Sequence, residues 1–441
     1  AARTLLESSG ALEEMETLRS APLVDYRRLM AFKRRVLERL AQTFFREPES
    51  NPRRAAMREL LTSNPELETY ARFRATIERT RASWRSWPRP LFDGVLKEGD
   101  FVRDARDYHL YVQFLAEEQL SALSAKTTSG LYLDMPLGVH PDGYDAWREQ
   151  RVFAHRATGG APPDRIFNVG QDWGFPPLHP EAIRMHGYRY VIAYLRHQMR
   201  HARMLRIDHV MGLHRLFWIP EGIEPSEGVY VQYHSEELYA ILSLESHRSR
   251  TVLVGENLGT VPSYVNRAMT RHNSKKIYVL QYSIAPRSRR PLRPVPSGSV
   301  ASLNTHDTPP FRAFVAGLDI DDRCASGLLS DKQSEEEHKE RTAVRKSLER
   351  LFRARGRTPR LTQLLRSCLS FLASSGAALL LINLEDLWLA SEPQNVPGPK
   401  TANPNWRRKA RYPLNELTGR REIVEILRLV KTLRKSTSRR S

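Results

Sequence analysis

With 441 residues, 40% of them apolar, the chain is long enough to bury a large core, as one big domain or two smaller ones. Its two cysteines, Cys324 and Cys368, have no C-x-x-C spacing, which argues against a disulfide framework or a Cys-based zinc site and fits a reducing compartment, with a cytoplasmic location expected. The formal charge of +19 raises nucleic acid or another polyanion as a partner. The basic residues are dispersed, however, and no zinc finger, RNP-type run or Gly-rich phosphate loop accompanies them, so an Arg-rich surface is the preferred reading and no nucleic acid is expected. No membrane span is expected either, because the longest apolar stretch, Leu369 to Leu384, is interrupted by Ser370, Ser374, Ser375 and Asn383. The sequence starts with neither a secretory leader nor an initiator Met, so the true N-terminus is expected to lie upstream.

Leu29, Phe32, Val36, Leu37, Leu40 and Phe44 recur at helical spacing and predict an amphipathic helix over 27–46 with an Arg/Lys outer face. Residues 50–90 read as broken helix ended by Trp84, Trp87 and Pro88, and another helix is expected over 107–125. Gly130 to Asp134 reads as a short buried strand. The stretch 136–180 reads as one long aromatic loop rich in Gly and Pro, and a loop of that length inside a compact domain is normally functional. From Glu181 the pattern changes to a helix over 181–203, a strand over 204–208, a loop and helix, and a strand over 251–255. A helix over 260–272, a strand over 277–282, a Pro-rich loop to Pro296 and a strand before Asn304 follow. This alternation is the βα signature of an α/β fold. A charged helix over 331–355 reads as a solvated lid or outer-ring helix. After it come a helix over 361–374, a strand over 378–383, a loop to Trp406 and a last helix over 419–434. The basic tail Lys431 to Arg440 is expected to be disordered.

Three acidic residues each close a short apolar run: Asp208 after Met204 to Ile207, Glu256 after Thr251 to Gly255, and Asp307 shortly after Val300 to Leu303. They are spaced about 50 residues apart, the length of a strand, helix and decorated loop in a (β/α)8 barrel, whose chemistry sits at the C-terminal ends of its strands. Arg206 and Asp208 are i and i+2 in a strand and so face the same way. That arginine either holds Asp208 ionised, as a nucleophile requires, or merely closes the strand with a salt bridge. Glu256 lies between Gly255 and Asn257, with an apolar strand behind it that would raise a carboxyl towards a general acid; the alternative is a loop glutamate facing water. His306 and Asp307 precede Pro309 and Pro310, which stiffen the loop. They suit hydrogen bonding to sugar hydroxyls, or else Asp307 is a capped turn residue. His197 and His201 stand at i and i+4, but Arg196 and Arg200 beside them favour a basic solvated face over zinc, so no metal or cofactor is expected. Trp147, Phe167, Trp173, Trp218 and Trp406 fall in loops or at their edges, as platforms for sugar rings or as plugs under a loop.

The runs Arg206-Ile207-Asp208-His209, Gly255-Glu256-Asn257-Leu258-Gly259 and Asn304-Thr305-His306-Asp307 resemble those of the 4-α-glucanotransferases (amylomaltases). So do Pro136 to Gly143, Phe167 to Gly174, and Pro393-Gln394-Asn395-Val396-Pro397-Gly398 followed by Asn405-Trp406-Arg407. The resemblance implies a TIM-type barrel with helical insertions: 1–130 a helical insertion region, 131–418 the catalytic barrel with long substrate loops, and 419–441 a C-terminal helix and basic tail. It implies Asp208 as nucleophile, Glu256 as acid/base and Asp307 as stabiliser of the distorted sugar. Arg206, His306, Trp173, Asn395, Phe167 and His209 are implied to bind a maltodextrin donor and acceptor. In a retaining reaction the Asp208 and Glu256 carboxyls are expected about 5–5.5 Å apart. Two departures stand out. Asn257 occupies a position where the family carries aspartate, and the family's opening barrel strand has no counterpart. The expectation is therefore a barrel without its first strand: a C-terminal fragment, half of a split protein completed by another chain, or a decayed copy. The competing functions are an α-glucan hydrolase, a glucan-binding remnant without turnover and, from the charge alone, a nucleic-acid binder.

Overall fold

The structure is a computed structural model that describes residues 2–164, 169–353, 357–397 and 404–438. The chain divides into two compact units, Ala1–Pro162 with Asp172–Val252, and Pro163–Gln171 with Leu253–Ser441.

The first unit begins with a helical array. The amphipathic helix α1 (Tyr26–Arg46) buries Phe32, Ala41 and Phe44, and the Asp25 carboxylate caps its start by accepting the Arg28 N–H at 3.1 Å. Helix α2 (Pro52–Ser63) is capped by Asn51 and has proline in its first turn, where the missing N–H costs nothing. With α3 (Glu66–Thr80) and α4 (Arg103–Lys126) they enclose a core of Ala41, Phe44, Met57, Ala71, Leu110 and Phe114. Many arginines of this array meet carboxylates: Arg34 is bidentate to Glu78 at 2.7 Å, and Arg106 meets Glu68 at 3.0 Å. These arginines are locally neutralised and add nothing to the net positive charge.

Strand β1 (Leu131–Met135) pairs in parallel with β3 (Ala202–Ile207), putting Asp134 opposite Arg206. The segment between them is not one long loop. It contains helix α5 (Tyr144–Arg148) and strand β2 (Ala157–Ala161), which pairs antiparallel with β4 (Arg215–Pro220), itself paired with β5 (Val229–Gln232). Strand β2, Ala-Thr-Gly-Gly-Ala, has a single β-branched residue and no aromatic one, the residue types that mark a strand in a sequence. The single helix expected over 181–203 is two, α6 (Pro180–Met185) and α7 (Arg189–Met199). Between them Gly187 and Tyr188 both take positive φ, at 61° and 54°, which ends an α-helix. Helix α8 (Ser235–Ser249) completes the unit.

Trp147 is no sugar platform. It is fully buried on α5, its ring centroid 4.9 Å from that of Phe73, with Nε1 donating to the Leu91 carbonyl at 2.9 Å. Trp218 lies on strand β4 rather than in a loop, donating to the Tyr233 hydroxyl at 3.3 Å.

In the second unit, strands β6 (Val252–Gly255), β7 (Lys275–Val279), β8 (Val300–Ser302) and β9 (Leu379–Leu381) pair in parallel in that order. Helix α9 (Ser263–Arg271) crosses between the first two. The strand expected over 277–282 starts and ends earlier, because Leu280–Ser283 turns into a 3-10 helix. Helices α10 (Phe311–Ala316), α11 (Leu318–Ala325), α12 (Asp331–Leu351) and α13 (Leu361–Ala373) lead to β9, and the short α14 (Leu384–Leu387) follows it. The last helix α15 (Arg421–Ser438) carries Ile423, Ile426 and Val430 onto Leu365, Leu369 and Leu372 of α13. The tail expected to be disordered is thus helical as far as Ser438. Arg434 donates to the carbonyls of Ser375 and Ala377, and the remaining tail residues lie outside the described residues. Parallel strands that alternate with helices define an α/β protein. No helix among the described residues is long and apolar enough to cross a membrane.

Candidate active site

In the first unit the site residues cluster where β1 and β3 end. Arg206 is 9% exposed and its guanidinium is shared. Nη1 donates to both oxygens of Asp134, at 2.6 and 2.8 Å, and Nη2 lies 2.9 Å from Asp208 Oδ1. The Asp208 N–H extends the parallel ladder one residue, donating to the Met135 carbonyl at 3.2 Å. That bond fixes the backbone from which the carboxylate projects. A cation between two carboxylates gives each a charge-assisted contact and fixes where its oxygens point.

His209 follows with φ of 44°. Desolvation lowers its imidazole to about 4, so the ring is neutral near pH 7 and can donate on one nitrogen while accepting on the other. The Trp173 ring packs edge-on against it at 5.3 Å, and the Trp173 backbone N–H donates to the Gly159 carbonyl at 2.9 Å. The neighbouring Phe175 ring lies so close over Gly138 and Gly159 that a Cβ at either would sit 2.2–2.3 Å from it. Both positions need glycine for that reason. Phe167 lies outside the described residues.

In the second unit Glu256 follows β6 directly, and its Oε1 accepts the Leu258 N–H at 2.9 Å. Asn257 turns elsewhere. Its Nδ2 donates to Asn266 Oδ1 at 3.0 Å and its Oδ1 accepts the Ile277 N–H at 3.0 Å, tying the end of β6 to α9 and to β7.

Asp307 is held from two sides. Asn395 Nδ2 donates to Oδ1 at 2.6 Å, and His306 Nε2 lies 3.1 Å from Oδ2. The Trp406 ring stands 5.7 Å from that of His306, half exposed, on a backbone with φ of 59°. Asn405 clasps Val396 through two hydrogen bonds of 2.9 and 3.1 Å, and the Trp406 N–H donates to the Gln394 carbonyl at 2.7 Å. The strand of chain carrying Asn395 is thereby fixed to the one carrying Trp406. His306, Trp406, Asn304, Gln394, Glu392 and Asp386 line a cavity of about 130 Å³.

Sequence reading missed three residues. Asp134 ends β1 but becomes informative only through the parallel register that sets it opposite Arg206. Tyr282 is 62% exposed, and its hydroxyl is pushed up to about 12 by desolvation first and then by the charges of Asp307 and Glu256, which places it near both carboxylates. Asp386 is 1% exposed yet hydrogen-bonded to Asn304, 82 residues away. No local pattern marks such a contact. Among the described residues no group of His, Cys, Asp and Glu is arranged to hold a metal ion, and both cysteines are free thiols.

Comparison with known proteins identifies what this arrangement belongs to. The profile of the 4-alpha-glucanotransferases matches residues 3–415. A 4-alpha-glucanotransferase of Mycobacterium tuberculosis is 33% identical over 377 residues, covering 81% of this chain and 52% of the relative. One from Haemophilus influenzae is 29% identical over 435 residues, covering 91% and 62%. The chain thus spans about half to three-fifths of the length of these relatives. Among solved structures, amylomaltase from Corynebacterium glutamicum superposes with a TM-score of 0.81 at 26% identity, covering 92% of this chain and 60% of that one. Amylomaltase from Streptococcus agalactiae, in complex with acarbose, matches with a TM-score of 0.76 at 17% identity, covering 93% and 80%, a likeness of fold. The α/β class with a TIM-type barrel, expected from the sequence, is the fold these proteins share. With its profile matched along nearly its whole length, the chain belongs to the 4-alpha-glucanotransferase family.

Proposed function

We propose that the chain carries the reacting carboxylates of an enzyme that transfers α-1,4-glucan segments between maltodextrins with retention of configuration. The observation that carries this reading is Asp208, paired with a buried arginine at the end of a parallel strand, in a chain whose sequence matches the family profile. A nucleophilic carboxylate must be charged and aimed, and a guanidinium anchored on its far side by Asp134 does both.

In the first half-reaction Asp208 attacks C1 of the donor sugar. The bond from C1 to the glycosidic oxygen breaks, and Glu256 gives its proton to that leaving oxygen. The glycosyl ester on Asp208 is then attacked at C1 by the 4-hydroxyl of an acceptor glucan. Glu256, now a carboxylate, takes the hydroxyl proton and Asp208 leaves unchanged, so bonds and protons balance over the cycle. Asp307 accepts hydrogen bonds from the distorted sugar, with Asn395 and His306 fixing its orientation. Arg206, His209, Trp173 and Phe167 belong to the donor sugar site in this reading, and the exposed Tyr282 and Trp406 rings offer apolar faces to sugar C–H surfaces. No cofactor enters this chemistry, and a cytoplasmic location goes with the two free thiols.

The test is to incubate the chain with maltotriose and resolve the products by size. Glucose together with a ladder of longer maltodextrins is expected, abolished by Asp208→Asn and by Glu256→Gln. Glucose and maltose without longer chains would make the protein a hydrolase. Unchanged maltotriose would show that this chain does not turn over.

A further inference from the structure

The loop that carries His306 and Asp307 is internally stiff. The Thr305 N–H donates to Thr308 Oγ1 at 2.8 Å, Thr308 Oγ1 donates back to the Thr305 carbonyl at 3.1 Å, and the Asp307 N–H reaches Thr305 Oγ1 at 3.2 Å. Pro309 and Pro310 remove two further backbone freedoms. Such a loop moves as one body, so its aim is set by what holds its ends.

One side chain holds both. Asp386, on α14, accepts Asn304 Nδ2 at the start of the loop, at 2.9 Å to Oδ2 and 3.2 Å to Oδ1. It accepts the Phe311 N–H at the loop's far end at 2.7 Å. Asn304 is itself 3% exposed, and its Oδ1 is taken by the side-chain amide of Asn383. That second bond fixes which way the Asn304 amide points, so its NH2 must face Asp386. A carboxylate presents two accepting oxygens to these converging donors; an amide or a protonated carboxyl presents an N–H or O–H against an N–H. Only the ionised acid offers an accepting oxygen to every one of these donors, although burying a charge costs stability.

We infer that Asp386 is the positioning residue of the site: ionised, it clamps both ends of the loop from Asn304 to Phe311 and so sets the orientation of Asp307 and His306. The inference rests on the reading of Asp307 as part of the transferase site. It adds a residue that touches no substrate and acts only through the loop.

The protonation of Asp386 falls where it can be tested. Burial pushes its carboxyl up to about 6, with the bonds from Phe311 and Asn304 opposing and the charge of Glu385 on the same helix adding. The other titratable groups lining the cavity are His306, Glu385 and Glu392, the last paired with Arg408 at 3.0 Å. Below about pH 6 the clamp loses an acceptor, and Asp307 loses its aim.

Two readouts decide the inference. The first is maltotriose transfer as a function of pH by the wild-type chain, Asp386→Asn and Asn304→Ala. Asp386→Asn is expected to lower kcat about a hundredfold, the scale of a misplaced catalytic group, with KM changed less than about threefold. The acid limb near pH 6 is expected to disappear with it. Asn304→Ala, which frees one end of the loop only, is expected to lower kcat less and keep that limb. Wild-type kcat and an unchanged acid limb in Asp386→Asn would overturn the inference.

The second readout needs no turnover. With 15N-labelled Phe and Asn, the Phe311 amide and the Asn395 side-chain amide, which is bonded to Asp307, are followed from pH 4.5 to 7.5. Movement of both with one midpoint, lost in Asp386→Asn, supports the clamp. Movement of Phe311 with Asn395 stationary overturns it. If the wild-type chain transfers nothing, the transferase reading fails while this second readout still decides whether Asp386 positions Asp307.

Discussion

The Arg206 guanidinium stands 2.9 Å from Asp208 and 2.6 Å from Asp134, one cation shared by the ends of two parallel strands. Arg206 and Asp208 share a strand face, and Asp134 is the register partner of Arg206. The planar fork is what allows one residue to serve two carboxylates, because its nitrogens point in fixed, divergent directions.

Arg206→Lys is accordingly expected to behave as a damaging change. A single ammonium cannot bridge both acids at these distances, and loss of one oriented contact at a reacting carboxylate is worth about 10²–10³ in rate. Arg206→Ala would remove the shared cation from two carboxylates whose side chains are 46% and 39% exposed, so that solvent screening holds the cost to about 1 kcal/mol. Steady-state kinetics on maltotriose and urea midpoints check the two effects. A lysine variant with wild-type kcat would remove Arg206 from the mechanism.

Asn257→Asp restores the residue that the family resemblance leads one to expect, and it is expected to change little. The Asn257 side chain bonds Asn266 and the Ile277 N–H rather than Glu256. An aspartate keeps the bond from Ile277, and Asn266 can rotate to offer its NH2. We expect kcat within about threefold of wild type and a stability change of about 1 kcal/mol or less, the net worth of one hydrogen bond. A tenfold or larger gain in kcat would mean that position 257 acts on Glu256 after all.

Two tryptophans with the same sequence-level description should separate cleanly. Trp147→Ala opens a cavity in a fully buried cluster and is expected to cost about 3–5 kcal/mol, with the maltodextrin KM of the surviving fold unchanged. Trp406→Ala removes a half-exposed ring beside His306. It is expected to cost under about 1 kcal/mol in stability and to raise KM several-fold. Thermal melts and initial rates on the two variants decide, and the reverse pattern would reassign both residues.

Asp386 gives stability and aim opposite pH dependences. Its folded-state pKa, about 6 against an ordinary 3.8, means that the folded protein binds this proton more tightly than the unfolded chain. The contribution to stability is therefore fully present below the unfolded value and is lost as pH rises through about 6. By linkage the loss amounts to about 2 kcal/mol between pH 4 and 7. Asp386→Asn does not titrate, so its stability relative to wild type should improve by about that amount over the interval. Urea midpoints at the two pH values measure it, and a difference independent of pH would contradict a raised carboxyl.

Much of the site could be read residue by residue. Arg206 with Asp208, and His306 with Asp307, are neighbours along the chain, and strand alternation or a proline-stiffened loop states how such neighbours face. The same short-range rules gave the amphipathic helix at Tyr26–Arg46 and the charged helix at Asp331–Leu351. They failed at Trp147, where a Gly- and Pro-rich stretch looked like open loop, although α5 packs it against Phe73 of α3. They failed again at residues 181–203, where apolar spacing ran on through two residues of positive φ.

What the sequence by itself determined is the order of the parts: alternating strands and helices, a carboxylate closing each of several strands, and motifs that name a family. These follow from periodicity and local chemistry, which act over a few residues. Only the tertiary structure decided which groups share a proton or a charge. Asp134 meets Arg206 through strand register, Asn395 meets Asp307 across 88 residues, and Asp386 meets Asn304 across 82. A hydrogen bond depends on a separation of about 3 Å in space. Separation along the chain carries no trace of it until packing has brought the strands and loops together.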